Sequence, residues 1–305
     1  MEFLRYKGAR GRYRLGVRTP EGLYDLAACY SRYREMGLRA IPGIAVAFAQ
    51  GSLRTLLARP GVGDFLAAVR LSGAHCRSAA LREDPVALGA PLHDPGRFIG
   101  IGLNYRCHAR EVGQSIPVEP PLFAKWANAI SGPQDEIMLP MNSQAIDYEV
   151  ELGVVMGQRA SRVSVNDALD YVFGYTVIND VSARDLQFRT SQWLAGKIGD
   201  GFAPMGPGVV ERDDIGPSQG LTLETWVNGE LRQHGHTSDM IYDVPALVSY
   251  LSHLVTLEPG DVIATGTPAG VGMSRKPPRY LHPGDIVRMR IAGVGTIENR
   301  FCAPR

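Results

Sequence analysis

The stretch AIDYEVELGVV, residues 145–155, sets three carboxylates, Asp147, Glu149 and Glu151, at alternate positions of a run that otherwise reads as a strand. Successive strand side chains point to opposite faces. The three acids therefore share one face, with neighbours roughly 6.6 Å apart at ~3.3 Å of rise per residue. Tyr148, Val150, Leu152 and Val154 share the other. Such alternation ordinarily marks a strand with one solvated face. Here the continuation LGVVMG is apolar on both faces, which draws the acidic end toward the core. Like carboxylates near an interior need a cation between them. Oxygen ligands with no Cys or His nearby favour Mg²⁺, with Mn²⁺ or Ca²⁺ as the other hard candidates. Asp180, closing the apolar run YTVIND, offers a third ligand, although an Asp there also suits a turn or a helix N-cap.

A second pair sits in NYRCHAREVG, where His108 and Glu111 stand at i, i+3. On a helix they meet on one face. An imidazole beside a carboxylate can take a proton from water; the plain alternative is a surface pair. His234 and His236 carry no assigned role. Of 32 basic residues only four are lysines, Lys7, Lys125, Lys197 and Lys276. With arginine as the default cation, a lysine marks a place that wants a compact ammonium.

The elements that must position these groups follow from periodicity and turn chemistry. Residues 1–27 read as a β-meander with a T-P-E-G turn. Residues 28–87 turn Ala- and Leu-rich with helical spacing, as in SLRTLLARPGVGDFLAAV. DPVALGAPLHDPGR, residues 84–97, reads as a linker. This predicts a small N-terminal domain with its linker over 1–90 and a catalytic domain over 91–305. Beyond the linker come strands at RFIGIGLNY, DYEVELGVVMG and VFGYTVINDVS, and a short helix or turn at SARDLQFRT. LTLETWVNGELRQHG predicts a hairpin tipped by Asn228-Gly229, and DVPALVSYLSHLVTL a helix. Two Pro-Gly-Asp turns each lead into a strand. With neither a nucleotide-binding glycine motif nor regular βα alternation, the class is β-rich α+β.

A formal net charge of +1 gives no electrostatic case for nucleic acid or an anionic membrane as partner. No run reaches the ~18 apolar residues of a membrane span. The opening MEFLRYKGARGRYRLG puts charges where a secretory leader has its apolar stretch, so a cytoplasmic protein is expected. Cys29, Cys76, Cys107 and Cys302 are too scattered for a disulfide framework or a thiolate zinc site.

Taken together, IGIGLNYRCHAREVG, PLFAKWANAISGP, DYEVELGVVMG, GYTVINDVSARDLQ, KIGDGFAPMGP, VNGELRQHGHTSDMIYDVPALVSYLS and LEPGDVIATGTPAGVG resemble the fumarylacetoacetate hydrolase superfamily in order. They are most similar to its bacterial branch of 2,4-diketo-3-deoxy sugar acid hydrolases, often labelled ureidoglycolate lyase. The resemblance implies a mixed β-roll catalytic domain with a small N-terminal α+β domain, a homodimer, Mg²⁺ or Mn²⁺, and a small 2-keto or 2,4-diketo acid as substrate. By motif it implies Glu149, Glu151 and Asp180 as metal ligands and His108 with Glu111 as a lid dyad activating water. It makes Lys197 catalytic, and Lys125, Gln187 and Thr267 substrate-binding. Asp147 receives no metal role. Two positions depart from the pattern: Cys107 replaces a usual lid Asp, and the lysine loop reads KIGD where K-S-x-D is common. The reaction implied is hydrolysis of a C–C bond of an acylpyruvate to a 2-keto acid and a carboxylic acid; decarboxylation, isomerisation or a lyase reaction of a 2-keto acid is the alternative. Specificity is expected to lie in lid residues 108–120 and in the N-terminal domain.

Overall fold

The computed structural model describes residues 1–305 except 9–10, 72–79, 82–86, 217, 219 and 305. Part of the expected linker, residues 84–86, and Cys76 lie outside the described residues. The N-terminal meander forms as strands β1 (Glu2–Lys7), β2 (Tyr13–Thr19) and β3 (Gly22–Asp25). Four helices follow: α1 (Leu26–Glu35), α2 (Ile44–Gln50), α3 (Leu53–Leu57) and α4 (Val62–Leu71). Asp25 caps α1 by accepting from the Ala28 amide at 2.9 Å, and Ser52 caps α3 through Thr55 at 3.0 Å. Leu53, Leu56, Phe65 and Val69 face the core.

The next segment carries β4 (Leu88–Gly89), β5 (Phe98–Ile101), α5 (Arg106–Glu111), β6 (Leu122–Ala124), β7 (Ile130–Ser131), β8 (Ile137–Met138) and β9 (Ile146–Asp147). Then come β10 (Val150–Met156), β11 (Val172–Asn179), β12 (Ser182–Ala183), α6 (Arg184–Gln187), β13 (Ala203–Glu211) and α7 (Arg212–Ile215). The chain closes with β14 (Thr222–Val227), β15 (Glu230–His236), α8 (Val244–Leu254), β16 (Val262–Ala264), β17 (Ile286–Ile291) and β18 (Gly295–Cys302). The sheets are mixed, and no barrel closes among the described residues.

One large sheet runs β3-β2-β1-β13-β11-β10-β16-β5-β6, with β4 on β1 and β7 on β13. A five-stranded sheet, β15-β14-β17-β18-β8, packs over β10, β11 and β13. Leu223, Met289, Ile297 and Phe301 from the small sheet join Leu152, Val177 and Met205 from the large one in the core. The N-terminal meander is continuous with the large sheet, because β1 pairs antiparallel with β13 at Glu2↔Val210 and Phe3↔Val209. The hairpin β14–β15 turns at Asn228 (φ 51°) and Gly229 (φ 81°). Every residue of β10 is buried, so its acidic end does lie against the core.

One expected element is broken. The predicted continuous strand through Asp147–Val155 divides into β9, which pairs with β12, and β10, in the large sheet. Side chains replace the ladder at the gap. The Tyr148 amide donates to Asp147 Oδ1 (2.9 Å), Glu149 N to Asn179 Oδ1 (3.2 Å) and Val150 N to Gln233 Oε1 (3.0 Å). Buried amides must find partners, and polar side chains can supply them without a strand neighbour.

Candidate active site

The register of β10 against β11 creates the acidic cluster. Val150 stands opposite Asn179, so Glu149, just before β10, and Asp180, just after β11, are brought side by side. The Asp180 amide donates to the Glu149 carbonyl at 2.9 Å. Glu151, inside β10, completes the group, and ligand oxygens of Glu149, Glu151 and Asp180 lie within 4.8 Å of one another, all buried. Glu151 is held by the Gly266 amide at 2.9 Å. Gly266 has φ +94°, and a Cβ there would meet Asn104 Cβ at 2.8 Å, so the loop reaches Glu151 because this residue has no side chain.

Cations surround the cluster. Lys197 Nζ donates to Glu149 Oε2 (2.7 Å) and Asp180 Oδ2 (2.6 Å). Arg184 donates from Nη2 to Glu149 Oε1 (2.7 Å), from Nε to Asp147 Oδ2 (3.0 Å) and from Nη1 to Gln187 Oε1 (3.0 Å). Burial pushes the Glu149 carboxyl up, but Arg184, Lys197 and His108 outweigh it and hold the acid well below the usual range. Burial lowers Lys197, yet Asp180 and Glu149 outweigh it and keep the ammonium charged. For Glu151 the balance is reversed: burial, then Asp180 and Glu149, outweigh Lys197 and the Gly266 amide and push its carboxyl well above the ordinary value.

Four buried carboxylates, Asp147, Glu149, Glu151 and Asp180, thus face three buried cations, Lys125, Arg184 and Lys197. Asp180 Oδ1 faces Lys125 Nζ at 2.6 Å, and the same ammonium reaches the carbonyls of Val181 (3.1 Å), Lys197 (2.9 Å) and Phe202 (2.5 Å). The clustered, all-oxygen donor set of Glu149, Glu151 and Asp180 fits a hard divalent cation.

The dyad forms as its spacing predicts. His108 Nδ1 lies 3.1 Å from Glu111 Oε2 on α5. Glu111 Oε1 accepts from the Gly270 amide at 2.9 Å. Gly270 has φ +111°, and a Cβ there would come within 2.1 Å of the Arg232 carbonyl oxygen. Asn104 anchors the start of this lid, donating to the carbonyls of Tyr242 (2.9 Å) and Thr265 (2.7 Å). Cys107 joins the lid to the same loop, its Sγ accepting from the Ala269 amide at 3.3 Å. Burial, with Asp239 adding to it, pushes the Cys107 thiol up to about 11.

A cavity of about 360 Å³ opens on the cluster, lined by His108, Glu149, Glu151, Gln187, Lys197 and Thr267 together with Arg184 and apolar side chains. The remaining assignments sort differently. Lys125 is buried behind Asp180 and is not among the lining residues, so its amine positions Asp180 and its backbone frame. Thr267 lines the cavity, but its hydroxyl donates to the Val150 carbonyl (2.9 Å) and accepts from Gln233 (2.8 Å). Asp147 stays outside the triad: its oxygens take the amides of Gly272 (2.7 Å) and Met273 (3.0 Å) as well as Arg184. Arg184 is the group that sequence reasoning missed. Lid residues 108–120 contribute His108, Val112 and Gln114, whereas the lining begins at Ile101, so the expected contribution of the N-terminal domain is not found among the described residues.

The sequence profile described as fumarylacetoacetate (FAA) hydrolase C-terminal matches residues 97–302. The chain belongs to the fumarylacetoacetate hydrolase family. Among its relatives, the mitochondrial oxaloacetate tautomerase fahd2 of Xenopus laevis is 44% identical over 221 residues, 72% of this chain and 69% of that protein. The solved fumarylacetoacetate hydrolase of psychrophilic Exiguobacterium antarcticum is similar with a TM-score of 0.77 and 35% identity, over 99% of each chain. Maleylpyruvate hydrolase from Sphingobium sp. SYK-6, solved with manganese(II) and pyruvate, gives a TM-score of 0.76 and 27% identity over 100% of each chain. The fumarylacetoacetate hydrolase family fold thus carries both a hydrolase and a tautomerase among the proteins similar to this one. No helix among the described residues is long and apolar enough to cross a membrane.

Proposed function

We propose that the protein is a metal-dependent hydrolase that cleaves the C3–C4 bond of a 2,4-diketo acid of acylpyruvate type. The observation that carries this reading is one cavity lined by Glu149 and Glu151 of the acidic triad and by His108, whose ring pairs with Glu111. Glu149, Glu151 and Asp180 would hold Mg²⁺ or Mn²⁺, which would supply Lewis-acid polarisation of a bound 2-keto acid. Glu111, oriented by His108 and the Gly270 amide, takes a proton from the water that adds to C4. Lys197 steadies the oxyanion at C4, with the Gln187 amide beside it. The C3–C4 electron pair stays on C3, which is reprotonated to give the 2-keto acid. The water oxygen leaves in the carboxylic acid. A homodimer belongs to the same reading and is checked by light scattering of the eluted protein.

A second reading, keto–enol tautomerisation of oxaloacetate, draws support from the tautomerase relative. It uses the same cluster and needs only a proton moved at C3. Decarboxylation of a 2-keto acid stands beside it. Incubation of the Mg²⁺-loaded enzyme with acetylpyruvate and with enolic oxaloacetate separates the three. Pyruvate and acetate from the first substrate support hydrolysis. Loss of enol absorbance from the second, with no pyruvate from either, supports tautomerisation; pyruvate with CO₂ supports decarboxylation.

A further inference from the structure

An apolar wall of the cavity is built from Leu103, Val112, Phe123, Phe188, Trp193 and Met273. Phe123 and Trp193 pack edge to face at 6.3 Å between centroids. Gly100 and Gly102 seat these rings, since a Cβ would meet Phe123 at 2.2 Å and Trp193 at 2.1 Å. Phe188, also in the lining, is 56% exposed.

We infer that this wall receives an uncharged, apolar acyl substituent, alkyl or aryl, and that the enzyme prefers such acylpyruvates to substrates bearing a second carboxylate or a polyhydroxyl chain. The inference rests on the hydrolase reading. Its first ground is the absence of a free cation at the wall among the described residues. The lining cations Arg184 and Lys197 are bound to the carboxylate cluster, and Lys197 Nζ lies 4.8 Å from the Phe123 ring centroid, within cation–π range. A second carboxylate there would be desolvated with no partner. The second ground is the scarcity of hydrogen-bonding groups. Gln114 and Gln187 are the only amide side chains in the lining, and Gln187 Oε1 already accepts from Arg184. Sugar hydroxyls brought to this wall would exchange water for hydrocarbon, so the sugar-acid substrates implied by the sequence resemblance fit it poorly.

The test is a kcat/KM series on the Mg²⁺ holoenzyme with acetyl-, butanoyl-, hexanoyl- and benzoylpyruvate, against succinylpyruvate, whose acyl group ends in a carboxylate, and a polyhydroxylated 2,4-diketo acid. Each added methylene is expected to raise kcat/KM roughly fourfold, the equivalent of ~0.8 kcal/mol, until the wall is filled. Phe188→Ala should flatten this slope. A flat series, or faster turnover of the charged or polyhydroxylated substrates, overturns the inference while leaving hydrolysis standing. If no acylpyruvate is cleaved, the hydrolase reading fails, and binding decides the wall separately. Calorimetry with two inert 2-keto acids should then show phenylpyruvate binding about tenfold more tightly than 2-oxoglutarate; the reverse order overturns the inference.

Discussion

At the scale of residues, Glu149 holds three partners at once: Arg184, Lys197 and, through its backbone carbonyl, Asp180. Glu149→Ala should therefore lower kcat/KM by about 10³-fold or more at any added Mg²⁺, several kcal/mol of lost transition-state stabilisation. An unchanged circular dichroism spectrum would show that folding is kept. The triad was legible because like carboxylates in an apolar setting demand a counter-charge. Arg184 was not, since SARDLQFRT reads as an ordinary short helix and its guanidinium reaches strands distant in sequence. The trace it left was Asp147, an acid without a role, whose carboxylate Arg184 and two loop amides satisfy. Cys107 gives a second test. With its thiol raised to about 11, the thiolate population at pH 8 falls roughly a hundredfold below that of an ordinary cysteine, and alkylation by iodoacetamide should slow to match. The sign for stability follows: the native state holds this proton longer than the unfolded chain. The contribution is fully present below the unfolded pKa and is lost as pH rises toward 11, so chemical denaturation midpoints should decline over that alkaline window.

At the scale of elements, the site is a meeting of strand ends and loops. The loop after β16 holds Glu151 through Gly266 and Glu111 through Gly270, linking triad and dyad. Gly270→Ala would press a methyl group against the Arg232 carbonyl and require a left-handed backbone at a residue with a side chain. Activity should fall by roughly tenfold or more as Glu111 loses its amide donor, with the metal affinity of the triad retained. Calorimetric Mg²⁺ titration beside the activity assay distinguishes this from general unfolding. Local signals served well for these elements. Turn chemistry located the β14–β15 hairpin, and helical spacing placed His108 against Glu111. Alternation misled only where side chains stand in for a strand neighbour, at Tyr148 and Glu149. The family motif around Lys125 implies contact with substrate; the direction of its amine, toward Asp180 and three carbonyls, is set by tertiary packing.

At the scale of the whole molecule, the proposed metal site would couple the stability of the fold to divalent ions. A ligand that binds only the native state adds RT ln(1 + [L]/Kd) to stability. Mg²⁺ or Mn²⁺ at a hundred times its Kd should raise unfolding free energy by about 2.7 kcal/mol over the EDTA-treated protein, and a urea melt reads the difference directly. The pairing of β1 with β13 escaped the sequence altogether, because partners some two hundred residues apart leave no periodic trace. It has a practical consequence for anyone wishing to prepare the family-matched segment 97–302 by itself. Cutting away the meander would strip β13 of its neighbour over residues 209–211 and bare backbone amides and carbonyls at that end of the strand. Such a raw margin recruits other chains. The shortened polypeptide should thus precipitate or form ladders of oligomers in size-exclusion chromatography, where the intact protein elutes as one species.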